Sequence, residues 1–192
     1  ATFAKGATFL SAIFNGDADF VRATFTGAAS FGGVTFKEVA DFWGTTFAVG
    51  ADFTDAIFSA TARFPGAKFM GVARFTDATF TGSADFWRAG FNGEGWFLRA
   101  TFTGAADFMG AAFFGAAQDK TVSFAKATFH AGLRFRNEPE LGRTHFPTQG
   151  ASGVVDFTDV RLERPDRVYF QDVDLSRVSF LGTDIRQLHF LN

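Results

Sequence analysis

Catalysis needs groups that move protons, hold metals or attack electrophiles, and this sequence is poor in them. Its three histidines are His130, His145 and His189, none in a metal-ligand spacing with another His or with a carboxylate cluster. Cysteine is absent, which removes disulfides, thiolate ligands and a thiol nucleophile and points to a reducing, cytoplasmic compartment. His145 shares a stretch with Glu138 and Glu140, but a loop is commonly this polar. No Gly-rich phosphate cradle links a strand to a helix, and no G-x-S-x-G elbow occurs. The expectation is no catalytic residue, no metal and no cofactor.

The remaining candidates are surface patterns, and three recur at intervals of 22 residues. One is a charged series, Asp19, Asp41, Arg63, Asp85 and Asp107. A second is apolar where an outward position should be polar: Val21, Trp43, Pro65, Trp87 and Met109, with Arg22 and Arg88 next in the chain to Val21 and Trp87. An apolar strip edged by polar residues marks a contact surface, so Val21, Trp43, Trp87, Met109, Arg22 and Arg88 are the candidate partner-binding residues. The third is Thr beside Phe, as in Thr24-Phe25-Thr26, Thr79-Phe80-Thr81 and Thr101-Phe102-Thr103. The column of the last two triplets also contains Ile13-Phe14-Asn15, Thr35-Phe36-Lys37 and Ile57-Phe58-Ser59, which breaks the lattice an ice-binding face would need. Arg161, Arg164 and Arg167 surround a protruding turn, with Asp159, Glu163 and Asp166 interleaved as a self-neutralising network.

These columns exist because phenylalanine returns in alternating steps of six and five residues from Phe3, Phe9, Phe14, Phe20 and Phe25 through Phe113. Two residues before each sits a small one, Ala in all cases except Val34, Thr45 and Gly95. A small residue and a Phe two apart share one side of an extended strand, so both point inward and the residue between them points out. Glycines 16, 27, 71, 82, 93 and 104 follow as the permissive corners of tight turns. Alternating unlike steps close in register only if the number of faces per coil is even. Two or four faces satisfy this, and the volume of opposed Phe side chains favours four.

The A-x-F unit resembles the pentapeptide-repeat family, in which a central Leu or Phe follows a small residue by two positions. The resemblance covers essentially the whole chain. It implies a right-handed quadrilateral parallel β-helix, all-β, with about 22 residues per coil here because every second unit carries a sixth residue. At Phe170, Leu175, Phe180, Ile185 and Phe190 the step becomes a strict five and the coil shortens to 20. Stacked at about 4.8 Å, eight or nine coils make a rod of roughly 40 Å.

The expected organisation is one domain over residues 1–192: strict repeats in 1–113, irregular coils with loops at Arg136 to Gly153 and Glu163 to Arg167 within 114–169, and regular five-residue repeats in 170–192. The start at Ala1, inside a repeat, reads as part of a longer protein with other domains. Formal net charge is −2, and residues 1–133 carry 10 basic and 11 acidic side chains, which argues against nucleic acid as a partner. No apolar run approaches the roughly 20 residues of a spanning helix, so no membrane insertion by this segment is expected. The function expected is a structural or protein-interaction scaffold without chemistry of its own, binding a protein partner or self-associating. The Asp series supplies the alternative, since some members of the family resemble duplex DNA and protect DNA gyrase.

Overall fold

The computed structural model describes residues 1–113, 121–136 and 154–191. Phe146, His145, Glu138 and Glu140, and nearly all of the expected Arg136 to Gly153 loop, lie outside them. Arg136 itself ends a strand, Leu133–Arg136.

Alternation of a buried small residue, an outward residue and a buried Phe produces strands of two to four residues, each pairing in parallel with the strand one coil away. The strands form four sheets, and Thr2↔Thr24, Ala29↔Ala51, Thr35↔Ile57 and Ala40↔Ala62 fix the 22-residue register. Among the described residues the sheets contain five, eight, seven and eight strands. The fold is thus an all-β solenoid with four faces. A closing coil of 20 residues appears where Phe170 pairs with Phe190.

Each face contributes one column of rings. Phe42, Phe64 and Phe86 stack with centroids 4.8 and 4.9 Å apart and planes within 2° of parallel. The columns beginning at Phe9 and Phe20 also meet in the middle of the coil, edge to face. Phe31 to Phe42, Phe42 to Phe53 and Phe53 to Phe64 are 5.4, 5.4 and 5.5 Å apart at angles of 84 to 88°. This zipper takes one ring every 11 residues and survives the irregular region, through Phe124, Phe135, Phe157, Phe170 and Phe180. Perpendicular rings place a positive edge on a negative face, the arrangement aromatic quadrupoles favour. Each buried Phe contributes roughly 2 kcal/mol before entropy is set against it.

The two step lengths make two kinds of corner. After the zipper rings the chain turns tightly, with the N–H three residues on bonded to the Phe carbonyl, as Ala23 to Phe20 at 3.0 Å. The second residue after such a ring takes positive φ, at Ser11, Arg22, Asp55, Asp77, Arg88, Arg99, Lys126, Asp159 and Asp172, and at Gly33, Gly44, Gly66, Gly110 and Gly182.

The glycines expected to permit tight turns are in fact at the other, open corners and have no positive φ. For all but Gly16, which has open space beside it, the reason is close approach between coils. A Cβ on Gly71 would lie 1.3 Å from the Val49 carbonyl oxygen, and one on Gly104 would lie 2.3 Å from that of Gly82.

Departures from Ala at the inward small position are compensated locally. The buried hydroxyl of Thr45 donates to the Phe20 carbonyl at 2.7 Å. The space over Gly95 is taken by the methyls of Val122.

Candidate functional site

The apolar series and the Asp series share the face and corner of the Phe20 column. Their neighbourhood follows from the turn chemistry. The residue before each zipper ring points outward, and where it is Asp its Oδ1 accepts the N–H of the residue after the ring: Asp19 from Val21 at 2.8 Å, and Asp41, Asp85 and Asp107 from Trp43, Trp87 and Met109 at 2.9 Å each. Asp52 and Asp156 do the same for Thr54 and Thr158 on the opposite face. The Asp series is therefore part of the corner itself, a side chain bonding its own backbone two residues on.

Two of its charges are also compensated. Arg63 reaches Asp41 at 2.9 Å and Arg134 reaches Asp107 at 2.5 Å. Burial raises the Asp85 carboxyl above its ordinary range, assisted by the nearby Asp107 and opposed by the Trp87 N–H and Arg63.

The same corners place the apolar series in one column, each rung accepting a backbone bond from the rung before: Arg22 N–H to Trp43, Gly44 to Pro65, Gly66 to Trp87 and Arg88 to Met109, at 2.7 to 2.9 Å. Trp43 is the most open member at 42 % exposure. Val21, Trp87 and Met109 are half-buried. Pro65 is buried, so the strip is not equally open on every rung.

The two expected edge residues lie on the tryptophans. The guanidinium carbon of Arg22 is 4.8 Å from the Trp43 ring centroid on the next coil, and that of Arg88 is 4.2 Å from the ring of its own neighbour, Trp87. Stacking of this kind contributes of order 0.5 to 2 kcal/mol, depending on desolvation. Both arginines sit at the positive-φ position of a tight corner, with φ of 52° and 53°. Column reading gave their adjacency but not their geometry, which depends on that backbone conformation.

Two further features escaped the sequence. Beyond Met109 the corner column continues as Arg136, Gln171 and Leu191, and the face column as Arg134, Tyr169 and His189. A groove of about 350 Å³ opens there, lined by Met109, Arg134, Arg136, Tyr169, Gln171 and Leu191. The unequal spacing of these coils, caused by intervening segments, hid the columns.

The turn at residues 163–167 pairs most of its own charges, as its composition suggests, with Arg167 the exception among the described residues. Arg161 pairs with Glu163 at 3.1 Å and Arg164 with Asp166 at 3.0 Å, and the Arg164 guanidinium holds the Asp166 carboxyl below its usual range. His130 contacts Glu163 at 2.8 Å, while His189 stacks on Tyr169 with centroids 4.6 Å apart. Among the described residues no group of three or more His, Asp or Glu is placed to hold a metal ion, and no helix is long and apolar enough to cross a membrane.

Four faces, stacked inward Phe and a small residue two positions earlier define a quadrilateral parallel β-solenoid. The family model described as Pentapeptide repeats (9 copies) matches residues 9–57, 20–68 and 64–112, and the chain belongs to the pentapeptide-repeat family. No curated protein matches the sequence.

Among solved structures, the chain is similar to full-length QnrB1, a plasmid-mediated fluoroquinolone resistance protein, at 14% identity and a TM-score of 0.27, covering 100% of this chain and 94% of that one. It is also similar to HetL, a pentapeptide repeat protein involved in heterocyst differentiation regulation from the cyanobacterium Nostoc sp. strain PCC 7120. That likeness has 14% identity and a TM-score of 0.24, over 94% of this chain and 87% of the other. At these values neither likeness says what this chain binds.

Proposed function

We propose that residues 1–192 form one non-catalytic domain of a cytoplasmic protein, a rigid β-helical rod that presents its Phe20-face corner to a protein partner or to a second copy of itself. The contact residues are Val21, Trp43, Trp87 and Met109, edged by Arg22 and Arg88. The observation that carries this reading is the pair of outward tryptophans, each covered by a guanidinium from an arginine held in a left-handed backbone conformation. Tryptophan and arginine are the residues most enriched where binding energy concentrates, and their burial is not needed by a core already filled with Phe.

The test is solution mass and shape by light scattering with small-angle X-ray scattering, for the native chain and for Trp43→Ser with Trp87→Ser. Loss of an association with unchanged circular dichroism supports the reading. An association indifferent to both substitutions overturns it.

Gyrase protection by imitation of duplex charge has less physical support. Duplex DNA carries a charge about every 1.7 Å of axis, whereas the Asp series offers one carboxylate per coil. Arg63 interrupts it and pairs with Asp41, and Arg134 pairs with Asp107.

A further inference from the structure

We propose that the end of the Phe20 face formed by Arg134, Arg136, Tyr169, Gln171, His189 and Leu191 is a docking site for an extended acidic segment of a partner protein, one with an apolar side chain on the same face as its carboxylates. This rests on the reading of the adjoining corner as an interaction surface and adds the chemistry of the partner.

The argument begins with strand length. Most strands of the rod have two residues, but Leu133–Arg136 and Val168–Gln171 have four, and His189–Leu191 has three. They pair in register as Arg134↔Tyr169 and Arg136↔Gln171, then Tyr169↔His189 and Gln171↔Leu191. Leu133 and Phe135 are each 1 % exposed. The alternate residues therefore face out, as a small grid in two rows. One row is Arg134, Tyr169 and His189, and the other is Arg136, Gln171 and Leu191.

Charge on this grid is reversed from the rest of the face. The outward column carries carboxylates at Asp19, Asp41, Asp85 and Asp107, interrupted only by Arg63, which pairs with Asp41, and then changes to Arg134 with Arg136 beside it and Arg167 near by. Asp107 is bonded to Arg134 but leaves that guanidinium side chain 63 % exposed. A guanidinium has five N–H donors, so one carboxylate does not exhaust it. Arg136 and Arg167 make no ion pair among the described residues.

The relief supplies the second requirement. The groove of about 350 Å³ between Met109 and Leu191 has apolar ends and a rim of Arg134 and Arg136. A second depression, about 330 Å³, lies on the other flank of the Arg134–Tyr169 ridge and is rimmed by Arg134 and Arg167. Outward residues two apart on one strand are separated by roughly 6.5 to 7 Å. That spacing matches alternate side chains of an extended partner segment, so two carboxylates two residues apart can meet Arg134 and Arg136 while an apolar side chain further along the same face of the segment enters the groove. Arg–carboxylate bonds are charge-assisted and directional, which makes the match selective for planar anions.

The test uses the full chain and a fluorescein-labelled octapeptide with Glu, Glu, Leu and Glu at its odd positions and Ser at its even ones, so that all four share one face of an extended chain, read by fluorescence anisotropy. The result expected is saturable binding that weakens with added salt. It falls at least tenfold in Arg134→Gln with Arg136→Gln, and in Arg136→Gln alone it falls without touching the Asp107 pair. A peptide with Gln for Glu should not bind, and one with Ala for Leu should bind more weakly.

Equal binding of the Gln peptide, indifference to the Arg substitutions, or equal binding of a single-stranded oligonucleotide would overturn the proposal. Trp43→Ser with Trp87→Ser should leave peptide binding intact. Loss of an association in that variant with no peptide binding by the native chain rejects the acidic partner while the corner reading stands, and the reverse pattern rejects the corner.

Discussion

Arg22 and Trp43 belong to successive coils, yet the guanidinium of the first lies 4.8 Å from the ring centre of the second, because Arg22 occupies the left-handed position of a corner whose next rung is Trp43. The contact uses a backbone conformation that disfavours every residue but Gly, Asn and Asp by about 1 kcal/mol. Gly44 and Gly66 show that glycine serves the same position on neighbouring rungs. Arg22→Gly should therefore leave stability within about 1 kcal/mol of native, since relief of the backbone offsets the lost contact. Acrylamide quenching of Trp43 emission, in a Trp87→Phe and Trp96→Phe background, should increase. A loss of several kcal/mol would mean that the arginine holds the fold together.

Phe64 packs between Phe42 and Phe86 along its column and against Phe53 and Phe75 across the coil. Phe64→Ala removes these contacts, and those to Phe58 and Phe69, and leaves a cavity, so a loss of about 3 to 5 kcal/mol is expected in denaturant unfolding. Phe190, which is 43 % exposed on the closing coil, should cost less than half as much when replaced by Ala. Equal losses would contradict a continuous stack with a weaker end.

Two glycines separate two physical reasons for glycine. Gly66→Ala meets no atom within 4 Å but must hold φ of +62°, a change expected to cost roughly 1 kcal/mol. Gly71→Ala would place its Cβ on the Val49 carbonyl and force the coils apart, so its cost should be several-fold larger. Thermal unfolding of the two variants decides it, and similar midpoints would show that coil spacing is softer than the geometry implies.

Asp85 offers a test in pH. Its carboxyl is raised in the folded state, so the ionised form is less favourable there than in the unfolded chain, and Asp85 lowers stability above its folded pKa. Asp85→Asn keeps an oxygen for the Trp87 N–H and removes the charge. The variant should be the more stable at pH 7, with the advantage shrinking as pH falls through the folded pKa and gone below the ordinary value of 3.8. An advantage that persists at pH 3 would assign the effect to something other than ionisation.

The inward residues announce themselves in the sequence because their spacing is a direct image of strand alternation, and the ring columns follow from it. What the period does not contain is the backbone sign at each corner. Gly71 and Gly104 looked like turn formers and are spacers between coils, while Arg22, Asp55 and Lys126 carry the left-handed turns. The Asp column likewise looked like surface charge. Its oxygens serve Val21, Trp43, Trp87 and Met109, a role visible only as the recurrence of Asp immediately before zipper Phe on both faces. Trp43 and Trp87 were correctly placed in one column, but whether Pro65 between them stays open depends on how a side chain lies at a corner, which spacing does not encode.

The equal separation of stacked rings has a consequence for length. Thr46 and Lys68 stand in register, as do Phe47 and Phe69. Excising residues 46–67 would therefore join matching points on consecutive coils, shortening the molecule by one graduation of about 4.9 Å without disturbing any corner. Through residues 1–113 the protein is a ruler marked every 22 residues, and the distance from Trp43 to Leu191 can be set by counting coils.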